Sequence, residues 1–133
     1  MNPHGPPVSW KSQKQATVAL SSCEAEYMAL CAATKEAKFL DMVMSDFIPG
    51  SIMFRPIEIN VDNTGAIALG KNNMVTKRSK HIDIRYHITR QCFNDGLVNF
   101  AHIKTELNVA DALTKPLCRV KLEFFGKLLF GVL

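Results

Sequence analysis

Pro56–Gly70 reads PIEINVDNTGAIALG. Ile57, Ile59 and Val61 alternate with Glu58 and Asn60 at a strict period of two, the spacing of a strand with one buried face. The strand ends on an acid, Asp62. Asn63 or Thr64 then offers the side-chain oxygen that opens a short helix through about Leu69. A strand running directly into a helix is the unit from which layered α/β structure is built.

The flanking segments repeat that alternation. Upstream, Ser21 and Glu24 form a capping box, and the apolar-periodic run that follows predicts a helix to about Asp46, stopped by Pro49-Gly50. Before it, residues 1–7 are Pro-rich and are expected to be a disordered lead. Val8–Leu20, VSWKSQKQATVAL, predicts one or two short strands from its β-branched residues. Downstream, a helix is expected over about Ile82–Asn94, closed by Gly96, then a second strand over Leu97–Ile103 (LVNFAHI). Asn108 caps a short helix ended at Pro116, and 118–133 is apolar enough to form a helical tail. No repeat or internal linker interrupts 8–133, which is expected to be one domain of α/β (α+β) class.

With 133 residues, 47% of them hydrophobic and 21% charged, the chain has ordinary globular composition. That excludes a disordered tail, a collagen-like rod and a disulfide scaffold. No apolar stretch approaches the roughly 20 residues of a membrane span, so no membrane partner is expected. The opening MNPHGPPVSW lacks the basic-then-apolar layout of a secretory signal, and an intracellular setting is expected. Four cysteines without CxxC spacing (Cys23, Cys31, Cys92, Cys118) are then expected to be thiols, mostly filling the core.

Sixteen basic against twelve acidic residues give a net charge of +4. The excess is concentrated. Lys71, Lys77, Arg78, Lys80, Arg85 and Arg90 face a single acid, Asp83, between Lys71 and Arg90, with His81 and His87 added. Such a stripe attracts phosphates. Charge alone fits a solvated helix face equally well.

Three acids sit where strand ends and helix starts would gather them. On a helical wheel Glu26 begins the stripe continued by Leu30, Ala33, Ala37, Leu40 and Met44, whereas Glu24 shares a mixed, partly wet stripe with Tyr27, Cys31, Lys35, Lys38 and Met42. A carboxylate ending a core stripe is costly to bury unless it is paired or meets a metal. At the rim it would simply reach water. Asp62 lies at the carboxyl end of a strand, where α/β ligand sites collect, or else makes an ordinary Asx-turn. Asp111 lies one turn into the Asn108 helix, between small neighbours, where it equally complements the helix dipole. Together they suit magnesium or manganese, hard cations that prefer oxygen ligands. Two such ions can activate a water and stabilise a leaving oxygen in phosphodiester cleavage. Walker, GxGxxG, HExxH and GxSxG motifs are absent. His102, within a strand pattern, is expected to be a satisfied core or sheet residue.

The ordered motifs SWKSQKQATVALSSCEAEYMAL, VDNTGAIAL, SKHIDIRYHITR and NVADALTKPL, spanning about Val8–Leu117, closely resemble the ribonuclease H domain of copia-type LTR retrotransposon polyproteins. The resemblance implies a ribonuclease H-like fold, a mixed sheet flanked by helices, that cuts the RNA strand of RNA–DNA hybrids with two Mg2+ (or Mn2+) ions. It implies catalytic and metal-binding roles for Glu26, in AEY, for Asp62, in DN, and for Asp111, in ADxLTK. It also implies hybrid contacts by Trp10, Lys11, Lys77, Arg78, Lys80, His81 and Arg85, and a place beside reverse transcriptase and integrase in a polyprotein, in cytoplasmic virus-like particles or the nucleus. The pattern departs in one respect. The family's first-strand aspartate precedes the SWKS motif, and residues 1–23 contain no Asp or Glu. The expectation is therefore an N-terminally truncated domain lacking the first strand and most of the second, with impaired hydrolysis. A non-catalytic nucleic-acid-binding remnant, or a structural fragment of a larger polyprotein, stays open beside it.

Overall fold

A computed structural model describes residues 7–19, 21–50, 55–71 and 83–131, with the backbone alone at 83–86. They divide between two compact units, one built from 19–104 and the other from the described parts of 1–18 and 105–133. The described residues are mixed α/β, with four α-helices and a small parallel sheet.

In the 19–104 unit, α1 (Ser22–Phe47) starts where the capping box predicts. Ser21 is extended, and its Oγ accepts the Glu24 N–H at 3.1 Å. The helix ends at Ile48, which is again extended, and Gly50 takes φ +91° just beyond Pro49. Strand β1 (Ile57–Val61) leads to α2 (Thr64–Lys71), whose cap is Asn63: Oδ1 accepts the Ala66 N–H at 3.1 Å. Helix α3 (Asp83–Asn94) closes on Gly96 at φ +71°, with Leu97 N–H to Cys92 O at 3.0 Å and Gly96 N–H to Phe93 O at 3.1 Å. Those two bonds satisfy the carbonyls that the helix end would otherwise leave open.

Strand β2 (Val98–His102) pairs parallel with β1, Ile57 opposite Val98, Ile59 opposite Phe100 and Val61 opposite His102. A parallel pair needs a crossover, and α2 and α3 supply it. The inner face of the sheet, with Val61, Val98 and Phe100 buried, packs on Tyr27, Leu30, Cys31 and Ala37 of α1, Ala66 of α2 and Cys92 of α3. Phe93 stacks on Phe100 at 5.4 Å between ring centroids. Glu58 and Asn60 point to the opposite, wet face.

Three sequence expectations need correction here. Val8–Leu20 forms no strand among its described residues. Alternation marks a strand only where a neighbour completes its hydrogen bonds, and none pairs there. The buried face of α1 is Tyr27, Leu30, Cys31, Thr34 and Ala37, while Ala33 and Met44 of the expected stripe are exposed. The helix turns its Tyr27–Cys31 side inward because the phenol ring offers more apolar area than the alanine, and Thr34 is accommodated by donating its hydroxyl to Leu30 O at 2.8 Å. His102 ends its strand exposed.

In the other unit, 3₁₀ turns at Thr105–Leu107 and Val109–Leu113 precede α4 (Arg119–Phe130), the expected apolar tail helix. Helix α4 packs against Val109–Leu113, with Phe125 wholly buried and Lys121 Nζ 5.5 Å from its ring centroid. The leading residues are irregular, and Ser12 Oγ donates to Leu113 O at 2.8 Å.

None of the four cysteines forms a disulfide. Cys31 and Cys92 fill the core as expected, and burial pushes the Cys92 thiol pKa up, keeping it protonated; Cys23 is half-buried and Cys118 exposed.

Candidate functional site

Asp62 follows the last residue of β1 directly and is half-buried at the carboxyl end of the parallel sheet. Its orientation is set by its neighbours: Val61 is anchored in the core, and Asn63 is committed to capping α2. The first turn of α1 lies against this corner. A Cβ placed on Gly65 would stand 2.9 Å from Cys23 Sγ and 3.1 Å from Asn63 Oδ1, so only glycine lets the two helix starts approach so closely. Glu26, one turn beyond Cys23 on α1, is half-buried. The start of α1 therefore meets the start of α2, next to the strand end that carries Asp62.

Asp111 belongs to the other unit and is only 6% exposed. Asn108 opens its turn by accepting the Ala110 N–H at 3.3 Å, and Lys115 Nζ reaches Asp111 Oδ1 at 3.0 Å. Lys115 N–H also bonds Asp111 O at 2.9 Å, so backbone and side chain converge on the same aspartate. Lys115 was not among the expected site residues. Its signal was in the sequence all the same: Asp and Lys four apart on a helical turn are neighbours.

Magnesium or manganese would need a cluster of oxygen donors. Among the described residues no three His, Cys, Asp or Glu side chains gather closely enough to hold a metal ion. The positive charge beside Asp111 comes instead from Lys115.

Of the residues expected to contact nucleic acid, Trp10 and Lys11 are exposed on the irregular leading segment. Lys77, Arg78, Lys80 and His81 lie outside the described residues, and Arg85 is described only as part of the α3 backbone. Lys71, at the start of the basic run, ends α2, and the other described end of the run lies on α3. There Arg90 Nε donates to Leu69 O at 3.4 Å, and His87, Arg90, Gln91, Asn94 and Asp95 line a shallow depression.

No protein-family model and no solved structure matches the chain. Its relatives are found among curated sequences. It is 37% identical over 120 residues to the retrovirus-related Pol polyprotein from transposon RE1 of Arabidopsis thaliana, and 36% identical over 121 residues to that from transposon RE2 of the same plant. It is 37% identical over 124 residues to the corresponding polyprotein from transposon TNT 1-94 of Nicotiana tabacum. These alignments cover 90%, 91% and 93% of this chain but only 8%, 8% and 9% of the polyproteins. Nine-tenths of the chain is thus homologous to one short segment of the retrovirus-related Pol polyproteins of plant transposons.

Proposed function

We propose that the chain is a ribonuclease H-like segment of a retrotransposon polyprotein that binds RNA–DNA hybrids and is impaired in cutting them. The observation that carries the reading is the homology of nine-tenths of the chain to Pol polyproteins of transposons. Two features of the fold support it. A strand-end aspartate, Asp62, stands at the corner where the first turn of α1, one turn before Glu26, meets α2. A net positive chain with its excess between Lys71 and Arg90 suits a phosphate backbone.

Impaired hydrolysis follows from the acids. Two-metal phosphodiester cleavage needs several carboxylates free to meet the ions, whereas Asp111 is paired with Lys115. In this reading hybrid recognition rests on backbone and 2′-hydroxyl contacts. Magnesium or manganese, reverse transcriptase and integrase, and a cytoplasmic or nuclear setting belong to the same proposal.

The test is a labelled RNA–DNA hybrid incubated with the folded chain in magnesium and in manganese, beside Asp62→Asn. The expected result is salt-sensitive binding by both proteins and cleavage by the parent no faster than by the variant. Cleavage that Asp62→Asn abolishes would overturn the impairment and show that the acids present suffice. Absence of hybrid binding by a chain shown to be folded would overturn the nucleic-acid reading as a whole.

A further inference from the structure

Helix α1 is apolar on two sides. Tyr27, Leu30, Cys31, Thr34 and Ala37 line the side packed into the core. Farther along, on the flank beside that face, Phe39 and Met42 are each 58% exposed. Large side chains left in water along one face of a helix mark a contact surface.

The residues bordering that surface indicate what it contacts. At 100° per residue, Lys35, Phe39, Met42 and Asp46 fall within an arc of about 60°, and all four are exposed. Their spacing of four, three and four residues is the seam of a left-handed helix pair. A base stands at one end of the stripe, an acid at the other, and two large apolar side chains lie between. Turned end for end, the stripe is its own complement. In a two-fold antiparallel pair Lys35 would face Asp46 of the partner subunit, Phe39 would face Met42 of the partner subunit, and the symmetry would make each contact twice. A stripe of one charge would repel its copy, whereas this one attracts it in a single register.

We propose that two copies of this chain associate through antiparallel α1 helices along Lys35, Phe39, Met42 and Asp46. One helix face from each subunit is smaller than a standard interface of roughly 1,600 Å², so the dimer is weak and concentration-dependent. It is independent of the function proposed above, because none of the four residues is an acid or base of the candidate site.

Sedimentation equilibrium of the whole chain over a concentration series tests the pairing. A monomer–dimer equilibrium is expected, and Phe39→Glu is expected to raise its Kd by roughly ten-fold or more while leaving the far-UV circular dichroism of the dilute protein unchanged. Lys35→Glu alone and Asp46→Lys alone each set like charges face to face and are expected to weaken the dimer. Combining the two restores opposite charges and is expected to bring Kd back to within about three-fold of the parent. A parent that stays monomeric up to roughly millimolar concentration would overturn the proposal. So would a dimer indifferent to Phe39→Glu, which would be using another surface. A double reversal no tighter than the single ones would overturn the register.

Discussion

Asp41 of α1 is gripped by the residue that precedes the Pro56 strand entry. Arg55 Nε donates to Asp41 Oδ1 at 2.9 Å, and Nη2 pairs with Oδ2. The Arg55 hydrogen bond holds the Asp41 carboxyl below the usual aspartate range, against a smaller opposing push from burial. A carboxylate whose pKa is depressed by folding stabilises the fold fully above its unfolded value of about 3.9, and the contribution disappears as pH falls through the lower, folded value. Melting temperature followed downward from about pH 5 should therefore fall more steeply for the parent than for Asp41→Asn; parallel curves would show that the pair contributes nothing. Neither partner drew notice in the sequence, because the arginine and the aspartate lie 14 residues apart. By contrast Asp62 was legible from alternation alone, and Lys115 from its four-residue distance to Asp111.

At the level of elements, what could be read was whatever depends on near neighbours along the chain. The Ser21–Glu24 cap, the Ile57–Val61 alternation, the Asn108 cap and the Gly96 stop all act within one turn, and the structure has each of them. What escaped depends on distant partners. The apolar periodicity of α1 is ambiguous because two faces qualify, and only the sheet beneath decides which is buried. Packing of α2 on that sheet is the sharpest case. A Cβ at Gly70 would stand 2.8 Å from Phe100 Cε2 and 3.3 Å from Leu30 Cδ2, so strand and helix touch through a hydrogen. Phe100 is 2% exposed and stacked on Phe93, so its ring has little room to retreat. Gly70→Ala should therefore destabilise the chain by about 1–3 kcal/mol despite alanine's better helix propensity. Chemical denaturation measures it, and an unchanged or raised midpoint would show that the ring can move.

For the molecule as a whole, composition and charge indicated a globular, basic chain. They did not reveal that the described residues near the two ends, 7–18 and 105–131, fold with one another. That association rests on contacts such as Ser12 to Leu113, which no local pattern announces. The charge pattern makes its own prediction. If the run from Lys77 to Arg90 tracks a phosphate backbone, replacing Lys77, Arg78 and Lys80 by glutamine should reduce the slope of log K against log salt for hybrid binding by about 2 to 3. An unchanged slope would assign those charges to solvated surface. One last consequence comes from Trp10, the single tryptophan, which is 71% exposed on the irregular leading segment. Indole emission from this chain is already that of a wetted ring in the native state, so it is nearly blind to melting of the core around Tyr27 and Phe100. The same isolation makes it a ready-made optical label for anything that docks on the leading segment.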